Sequence, residues 1–379
     1  MKSSFIRSLI LLALGLLLAL GFRPAHSQPV QAGNGPSSVL TEVSPSSFTP
    51  SLLEQGRSHY QQSQWNEAIL AWQSALEQPN LSEQQQATLW SYLGMAYGKV
   101  GDWESGESAI ANALQQLENL PENSDRAHLL AQTLNTQGQL SFAQGRPESA
   151  LASWQAATDI YQSLNYTSGI TGSLINQSQA LETLGHYRRA CQALLTAANL
   201  SEQPCEVNND QALNTITKAF EHQPNATLQT LGLRSLGQTL RLTGQLIEAQ
   251  QLLEKSVAIS KAQDLQQQHL LSLLSLAQIE QDLAKQAIYR LGQAGSDADS
   301  LAIRTLVEEA LEHYEEAEKL APSLTGDNGQ LLAQATIQHF SLLSTLQSTA
   351  TTNSFSIDVT FQLQDQLSKV ETLAPLPPS

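Results

Sequence analysis

Apolar residues recur along this chain at intervals of three and four positions, with polar residues between them. One example is the stripe formed by Leu213, Ile216, Ala219 and Phe220. This spacing places the apolar side chains on one face of an α-helix. Sustained alternation of β-branched and polar residues, the pattern of a half-buried strand, is almost absent. The pattern predicts an all-α fold.

A repeated sequence motif indicates that these helices occur in pairs. It is clearest at residues 90–97, followed by Gly101-Asp102-Trp103. A small residue returns at one position of each first helix: Gly56, Gly94, Gly138, Ser178, Gly237 and Ala277. Glycine inside a helix costs about 1 kcal/mol relative to alanine, so its recurrence requires a packing reason. We expect these small residues to let the second helix of each pair approach closely.

The motif resembles the tetratricopeptide repeat (TPR), a pair of antiparallel helices with large, small and aromatic residues at fixed positions. The resemblance implies a right-handed superhelix, an α-solenoid, of about six to seven helix-turn-helix units over residues 51–350. The interval between small residues is longest from Ser178 to Gly237, which predicts a helical insertion at residues 205–229. Asn209 or Asp210 can cap the short helix of this insertion.

The last units are less regular. Three helices and one loop are expected in this part: a helix over residues 269–291, a loop over 292–300, a helix over about 301–320 and a helix over about 331–346. Residues 351–379 are expected to contain one final helix, around residues 361–373, and a disordered Pro-rich tail.

Residues 1–27 are typical of a secretory signal peptide. Lys2 and Arg7 precede a short apolar run, and Ala25 and Ser27 supply small residues for cleavage. The run is shorter than the ~20 residues that span a bilayer, and an uncleaved membrane anchor is the alternative. We therefore predict export to the periplasm or the extracellular space, with residues 28–50 as a flexible linker rich in Pro, Ser and Gly.

The charge of the chain argues against a nucleic-acid partner. The formal net charge is −16, and residues 28–379 carry sixteen basic against thirty-five acidic side chains. Such a surface repels a polyanion, because a protein that binds nucleic acid needs clusters of Lys and Arg. The acidic run at residues 308–318 could bind a cation or a basic partner, but we favour the interpretation that it is a solvated helix surface.

The sequence lacks the motifs of the common catalytic and cofactor sites. It has no Gly-rich phosphate loop, no His-Glu-x-x-His, no Gly-x-Ser-x-Gly and no Cys-x-x-Cys. The histidines also lack the four-residue spacing of a helical metal pair. We therefore expect no enzyme activity, no metal, no cofactor and no small-molecule substrate. A deep pocket with clustered carboxylates or histidines would instead indicate an enzyme.

Cys191 and Cys205 have two interpretations. In an oxidising compartment they could form a disulfide, which would close a 15-residue loop and stabilise the fold by ~3 kcal/mol. The alternative is that they are unrelated thiols. A catalytic cysteine is least favoured, because the sequence identifies no histidine partner.

Three segments carry a closer resemblance: residues 54–76, the two-cysteine insertion and residues 231–244. They resemble the N-terminal TPR arm of exported cyanobacterial proteins in which a caspase-like CHAT protease domain follows. The resemblance covers about residues 51–350 and includes no protease half, so it implies no protease activity. It implies an exported, non-catalytic scaffold for protein–protein interaction. The alternative is a substrate-recognition or regulatory arm of a CHAT-type protease supplied by a separate chain.

The expected partner is a protein or an extended peptide, held in a concave groove that the first helix of each unit lines. Positions three before, one after and four after the small residue share that face of the helix. The residues at or beside these positions are Asn135, Gln139, Asn176, Gln179, Arg234, Gln238 and Arg241. Amides can pair with a peptide backbone, and arginines can bind a carboxylate through two N–H groups. The alternative is that these side chains are only solvated.

Overall fold

Several helices begin and end at capping signals that the sequence carries. Ser82 accepts a hydrogen bond from the backbone N–H of Gln85, whose side chain accepts one from the Ser82 N–H, so the two form a capping box. This helix ends at Gly101, whose φ of 77° is left-handed and unstrained for glycine. Asp102 then caps the next helix by accepting from the N–H of Ser105. A two-residue Gly-Asp signal thus stops one helix and starts another.

A computed structural model describes residues 51–207, 209–294, 297–323, 328–350, 365, 366 and 369. These residues form fourteen α-helices and one short 3₁₀ helix, Ala321–Ser323, and they include no strand. They divide into two compact units, which meet between Thr243 and Gly244 in the sequence.

The first unit contains ten helices: α1 Leu52–Gln61, α2 Trp65–Leu76, α3 Glu83–Val100, α4 Trp103–Asn119, α5 Ser124–Ala143, α6 Pro147–Ser163, α7 Thr167–Thr183, α8 Tyr187–Ala197, α9 Asp210–Glu221 and α10 Ala226–Leu242. The second unit contains four: α11 Leu246–Ala262, α12 Gln266–Ala294, α13 Asp297–Leu320 and α14 Asn328–Ala350.

Within each unit, most helices that follow one another in the chain pack against one another. In the first unit α1 to α8 form four hairpins joined by short turns, and the first helices of neighbouring hairpins also touch, α3 against α5 and α7 against α10. In the second unit α11 packs on α12, α12 on α13 and α13 on α14. This arrangement confirms the predicted all-α solenoid fold, while its right-handedness stays a prediction.

Second helices approach the glycines of the first helices closely, as the recurrence of small residues predicts: Gly56 and Gly138 each receive a tryptophan ring, and Gly94 receives Ile110. The fully buried Trp154 lies so close to Gly138 that a Cβ there would be 2.4 Å from its Nε1. That Nε1–H donates to the backbone carbonyl of Asn135 at 3.1 Å. Gly56 and Trp72 repeat the arrangement, with a would-be Cβ distance of 2.3 Å. The glycine therefore makes room for an indole that both packs on the helix and bonds to its backbone.

The insertion before α10 is tied down by a disulfide and by an aromatic contact. Cys191 of α8 and Cys205 are bonded, with their Cα atoms 5.9 Å apart. Asn209, one of the two residues that the sequence offers as a cap, caps α9 by accepting from the N–H of Ala212. The buried Phe220 of α9 packs against Gly232 of α10, where a Cβ would lie 2.2 Å from the ring.

The loop predicted over residues 292–300 is wrong at both ends. Helix α12 continues to Ala294, and α13 already begins at Asp297. Gly292 lies inside α12, because one helical glycine costs only about 1 kcal/mol. Burial of the apolar face of α12, for example Leu270 and Leu273, outweighs that cost.

Several predictions fall outside the described residues: the signal peptide at 1–27, the linker at 28–50, and the C-terminal helix and tail at 351–379, except for residues 365, 366 and 369. Among the helices that the structure describes, none has the length and apolarity needed to cross a bilayer.

Candidate functional site

The seven side chains predicted to line a groove lie on three first helices of the first unit. Helix α5 carries Asn135 and Gln139, α7 carries Asn176 and Gln179, and α10 carries Arg234, Gln238 and Arg241. Four of them are buried: Asn135, Asn176, Gln179 and Arg234. Gln139, Gln238 and Arg241 are half-buried, so these three are the ones that solvent or a partner can reach.

Two of the buried amides join neighbouring helices. The Nδ2 of Asn176 on α7 donates to Oδ1 of Asn135 on α5 at 3.0 Å. The backbone carbonyl of Asn135 also accepts a hydrogen bond from Trp154, so Asn135 is held through both its side chain and its backbone. Thr133 and Ser91 make a similar contact between α5 and α3, at 3.1 Å between their hydroxyl oxygens. Polar residues on this face therefore help to dock the helices, a role that the sequence does not reveal.

The charged part of this face lies between α7 and α10. The Thr239 hydroxyl of α10 is within hydrogen-bond distance of the Glu182 carboxyl of α7. Burial raises the pKa of Glu182 to about 7, against the opposing effects of the bond with Thr239 and of the charge on Arg241. With a pKa of about 7, Glu182 would change its charge near neutral pH.

Arg234 contributes a second positive charge to α10 and is among the largest fully buried side chains, with 1 % of its surface exposed. Burial lowers the pKa of its guanidinium to about 10, so it stays protonated at neutral pH. Arg234, Gln238 and Arg241 follow one another at spacings of four and three, so they share one face of α10.

Glu182 belongs to this polar face, but it is not among the seven residues that the sequence predicts for the groove. It stands four positions after the small residue Ser178, which is the same register that selects Arg241 after Gly237. Its position in the repeat therefore places Glu182 on the same helix face, but a single carboxylate among amides gives no distinct sequence pattern. Its proximity to Thr239 depends on how α7 and α10 pack, which the sequence pattern does not specify.

A different polar cluster occupies the second unit, where three histidines each contact a glutamate of another helix: His269 and Glu316, His313 and Glu280, and His339 and Glu318. The tightest pair joins His313 Nδ1 to Oε2 of the buried Glu280 at 2.8 Å. Burial lowers the pKa of His313, but the bond and charge of Glu280 raise it by more. Burial also raises the pKa of Glu280.

In the sequence these histidines lack the four-residue spacing of a helical metal pair. They come together only because α12, α13 and α14 pack side by side. Within the described part of the chain, no group of three or more His, Cys, Asp or Glu side chains is placed to hold a metal ion.

No protein-family model matches this sequence, and no curated protein matches it. The resemblance of residues 51–350 to the TPR arms of CHAT proteins therefore rests on the sequence motifs alone.

Among solved structures, the chain is similar to the apo form of RapI, with 14 % identity, a TM-score of 0.47, and coverage of 84 % of this chain and 98 % of that one. A STAND ATPase with a TPR sensor from Pyrococcus horikoshii has 13 % identity and a TM-score of 0.49, over 84 % of this chain and 43 % of that one. A Rap protein complexed with competence and sporulation factor has 14 % identity and a TM-score of 0.46, over 85 % and 87 %.

Proposed function

We propose that this chain is a non-catalytic interaction module that holds an extended segment of another protein against the first helices of its first unit. The observation that carries the proposal is the polar face shared by α5, α7 and α10. On this face Gln139, Gln238 and Arg241 remain accessible, while the buried amides beside them fix the helices.

The chemistry of the accessible side chains suits a peptide. Each glutamine offers a donor and an acceptor, which can pair with the N–H and C=O groups of an extended backbone. The guanidinium of Arg241 offers N–H groups in a planar fork, suited to a carboxylate. An array of stacked helix pairs presents such groups along one surface, which is how repeat proteins bind long ligands.

We also propose that the protein works outside the cytosol. The disulfide between Cys191 and Cys205 supports this, because such bonds persist in oxidising compartments and are rare in reducing ones. The N-terminal pattern of a signal peptide points the same way. Separation of envelope and cytosolic fractions of cells, followed by detection of the chain, tests this part directly: recovery with the cytosol and with free thiols would contradict it.

Site-specific photo-crosslinking tests the proposed surface. A benzophenone amino acid replaces Gln238 on the polar face of α10, and in a control chain it replaces Gln155, which is exposed on α6. We expect a protein adduct from the Gln238 chain and none from the control when cells are irradiated. Equal adducts from both chains, or none from Gln238, would show that this face does not bind a partner.

A further inference from the structure

Three side chains meet at one carboxylate of the second unit. Oε1 of Glu318 on α13 accepts a hydrogen bond from Nδ1 of His339 on α14 at 2.9 Å. Its Oε2 accepts from Nε2 of Gln366 and from Nζ of Lys369, each at 3.2 Å. Gln366 and Lys369 lie beyond α14 in the sequence, so this carboxylate ties the C-terminal part of the chain to two earlier helices.

Glu318 is buried and is ionised at neutral pH. Burial acts to raise its pKa, but the bonds from His339 and Gln366 and the charge of Lys369 lower it by more, to below the ordinary value of a glutamate. Only 9 % of the Glu318 side chain is exposed. An ionised carboxylate away from water is costly without its donors, so loss of Gln366 and Lys369 would leave part of that charge unpaired.

The described residues of the C-terminal part have the geometry of a helix that faces Glu318. Asp365, Gln366 and Lys369 have a helical backbone, and Lys369 forms an ion pair with Asp365, four positions before it, at 3.0 Å. Gln366 and Lys369 are three positions apart and therefore share one face of such a helix. Gln366 is 3 % exposed, so the helix is covered at this position.

The sequence around Gln366 predicts an amphipathic helix over residues 361–373. Leu363, Leu367 and Val370 recur at intervals of four and three, and Gln366 falls among them. A helix with one apolar face is stable when that face packs against another element. The burial of Gln366 shows that the middle of this face has such a neighbour.

Helix α14 has buried residues on two opposite sides. Leu331 belongs to the core that α14 shares with α12 and α13. Phe340 lies nine positions later, about 180° around the helix axis, yet it is also buried, and it does not belong to that core of described residues. One neighbouring helix cannot cover both sides, so another segment covers Phe340. His339, beside Phe340, shares its carboxylate partner with Gln366, which points to the C-terminal segment as that cover.

We propose that α13 and α14 form a docking surface for an amphipathic helix, and that residues 361–373 of this chain are its occupant, held by Glu318. Residues 351–364 connect Ala350, the last residue of α14, to Asp365. Such a connection can extend for about 45 Å, and α14 is only about 35 Å long. The segment can therefore lie back along α14, or detach from it and leave Phe340 uncovered.

Hydrogen–deuterium exchange of the full chain, followed by mass spectrometry, tests the inference. We expect the amides of residues 361–373 to exchange slowly in the wild type and about tenfold faster in Glu318→Gln, which loses a charged acceptor. The control, Glu308→Gln, changes an exposed carboxylate of α13 and should behave like the wild type. Exchange of the α12 amides should be the same in all of these chains, because the rest of the unit stays folded.

A charge reversal in the C-terminal segment provides a second variant that leaves α13 and α14 intact. Lys369→Glu places a negative charge against Glu318 and should also speed exchange of residues 361–373 by about tenfold or more. In the double variant Glu318→Gln/Lys369→Glu this repulsion is absent. The double variant should therefore exchange more slowly than Lys369→Glu alone.

Release of the segment should also expose the apolar side of α14. Fluorescence of a dye that binds apolar surface should rise in Lys369→Glu, and a synthetic peptide of residues 361–373, added at about millimolar concentration, should reverse the rise. Equal exchange of residues 361–373 in the wild type and Glu318→Gln would overturn the inference. So would a double variant that exchanges faster than Lys369→Glu, or a dye signal that the peptide leaves unchanged.

Discussion

Replacing Gly138 by alanine tests the packing that repeats along the first helices. The new Cβ would lie 2.4, 2.6 and 2.7 Å from three ring atoms of Trp154, which is fully buried and cannot move into solvent. The ring must shift, and its hydrogen bond to the Asn135 carbonyl must lengthen or break.

The magnitude follows from three opposing effects. Overpacking of a buried site costs about 1–3 kcal/mol, and a buried N–H left without its acceptor costs about 1–3 kcal/mol. Alanine returns about 1 kcal/mol through its better helix propensity. We therefore expect the free energy of unfolding of Gly138→Ala to fall by about 1–5 kcal/mol, centred on about 3 kcal/mol.

Gly106→Ala is the matched control. It lies inside α4, but a Cβ there would lie 3.2 Å from the end of a flexible Leu140 side chain and 3.5 Å, an ordinary contact distance, from the Cβ of Tyr97. The gain in helix propensity should then keep its stability within about 1 kcal/mol of the wild type, or raise it.

Urea unfolding followed by far-ultraviolet circular dichroism measures both variants. A double-mutant cycle with Trp154→Phe sharpens the test, because a smaller ring should relieve most of the cost of Gly138→Ala. If Gly138→Ala were as stable as the wild type, or if the phenylalanine left its cost unchanged, the close approach of the indole would not be the reason for the glycine.

Three further predictions concern other parts of the chain. Replacing Cys191 and Cys205 together by serine should lower the free energy of unfolding by about 3 kcal/mol, measured by urea denaturation. Asn209→Ala should cost about 1 kcal/mol in the same assay, because α9 loses its N-cap. Burial raises the pKa of Glu280, and the bond with Glu280 raises that of His313, so each group should make stability fall as pH rises through its own range. His313 contributes fully below its unfolded pKa of about 6.5 and loses that contribution through its higher folded pKa, so His313→Gln should flatten the unfolding profile above pH 6.5.

Each of these has an outcome that contradicts it. Unchanged stability of the double-serine chain would mean that the disulfide does not constrain the unfolded state. An unaffected Asn209→Ala chain would mean that the cap is replaced by water. If the pH profile of His313→Gln still matched that of the wild type, the slope would belong to another group. His186→Gln, which changes an exposed histidine, is the control and should keep the wild-type profile.

Much of the fold follows from local patterns that the sequence displays. Helix periodicity depends on which residues lie three and four positions apart, and capping depends on a side chain and the backbone of the next turn. The cap of α9 could therefore be narrowed to Asn209 or Asp210, and the turn Gly101-Asp102 between α3 and α4 could be identified directly. The loop predicted over residues 292–300 was wrong, because the cost of a glycine in α12 is outweighed by burial that a local pattern does not measure.

From the amino-acid sequence alone it follows that the chain is helical, that small residues mark the close contacts between paired helices, and that two cysteines could bond. Which polar residues meet depends on the packing of the folded chain. Asn135 reaches Asn176 forty-one residues away, and Glu182 reaches Thr239 across fifty-seven. Such contacts depend on the angle and depth at which separate helices pack, and they set burial and therefore pKa. The position of a residue on its own helix face contains no information about the side chain that another helix brings to it.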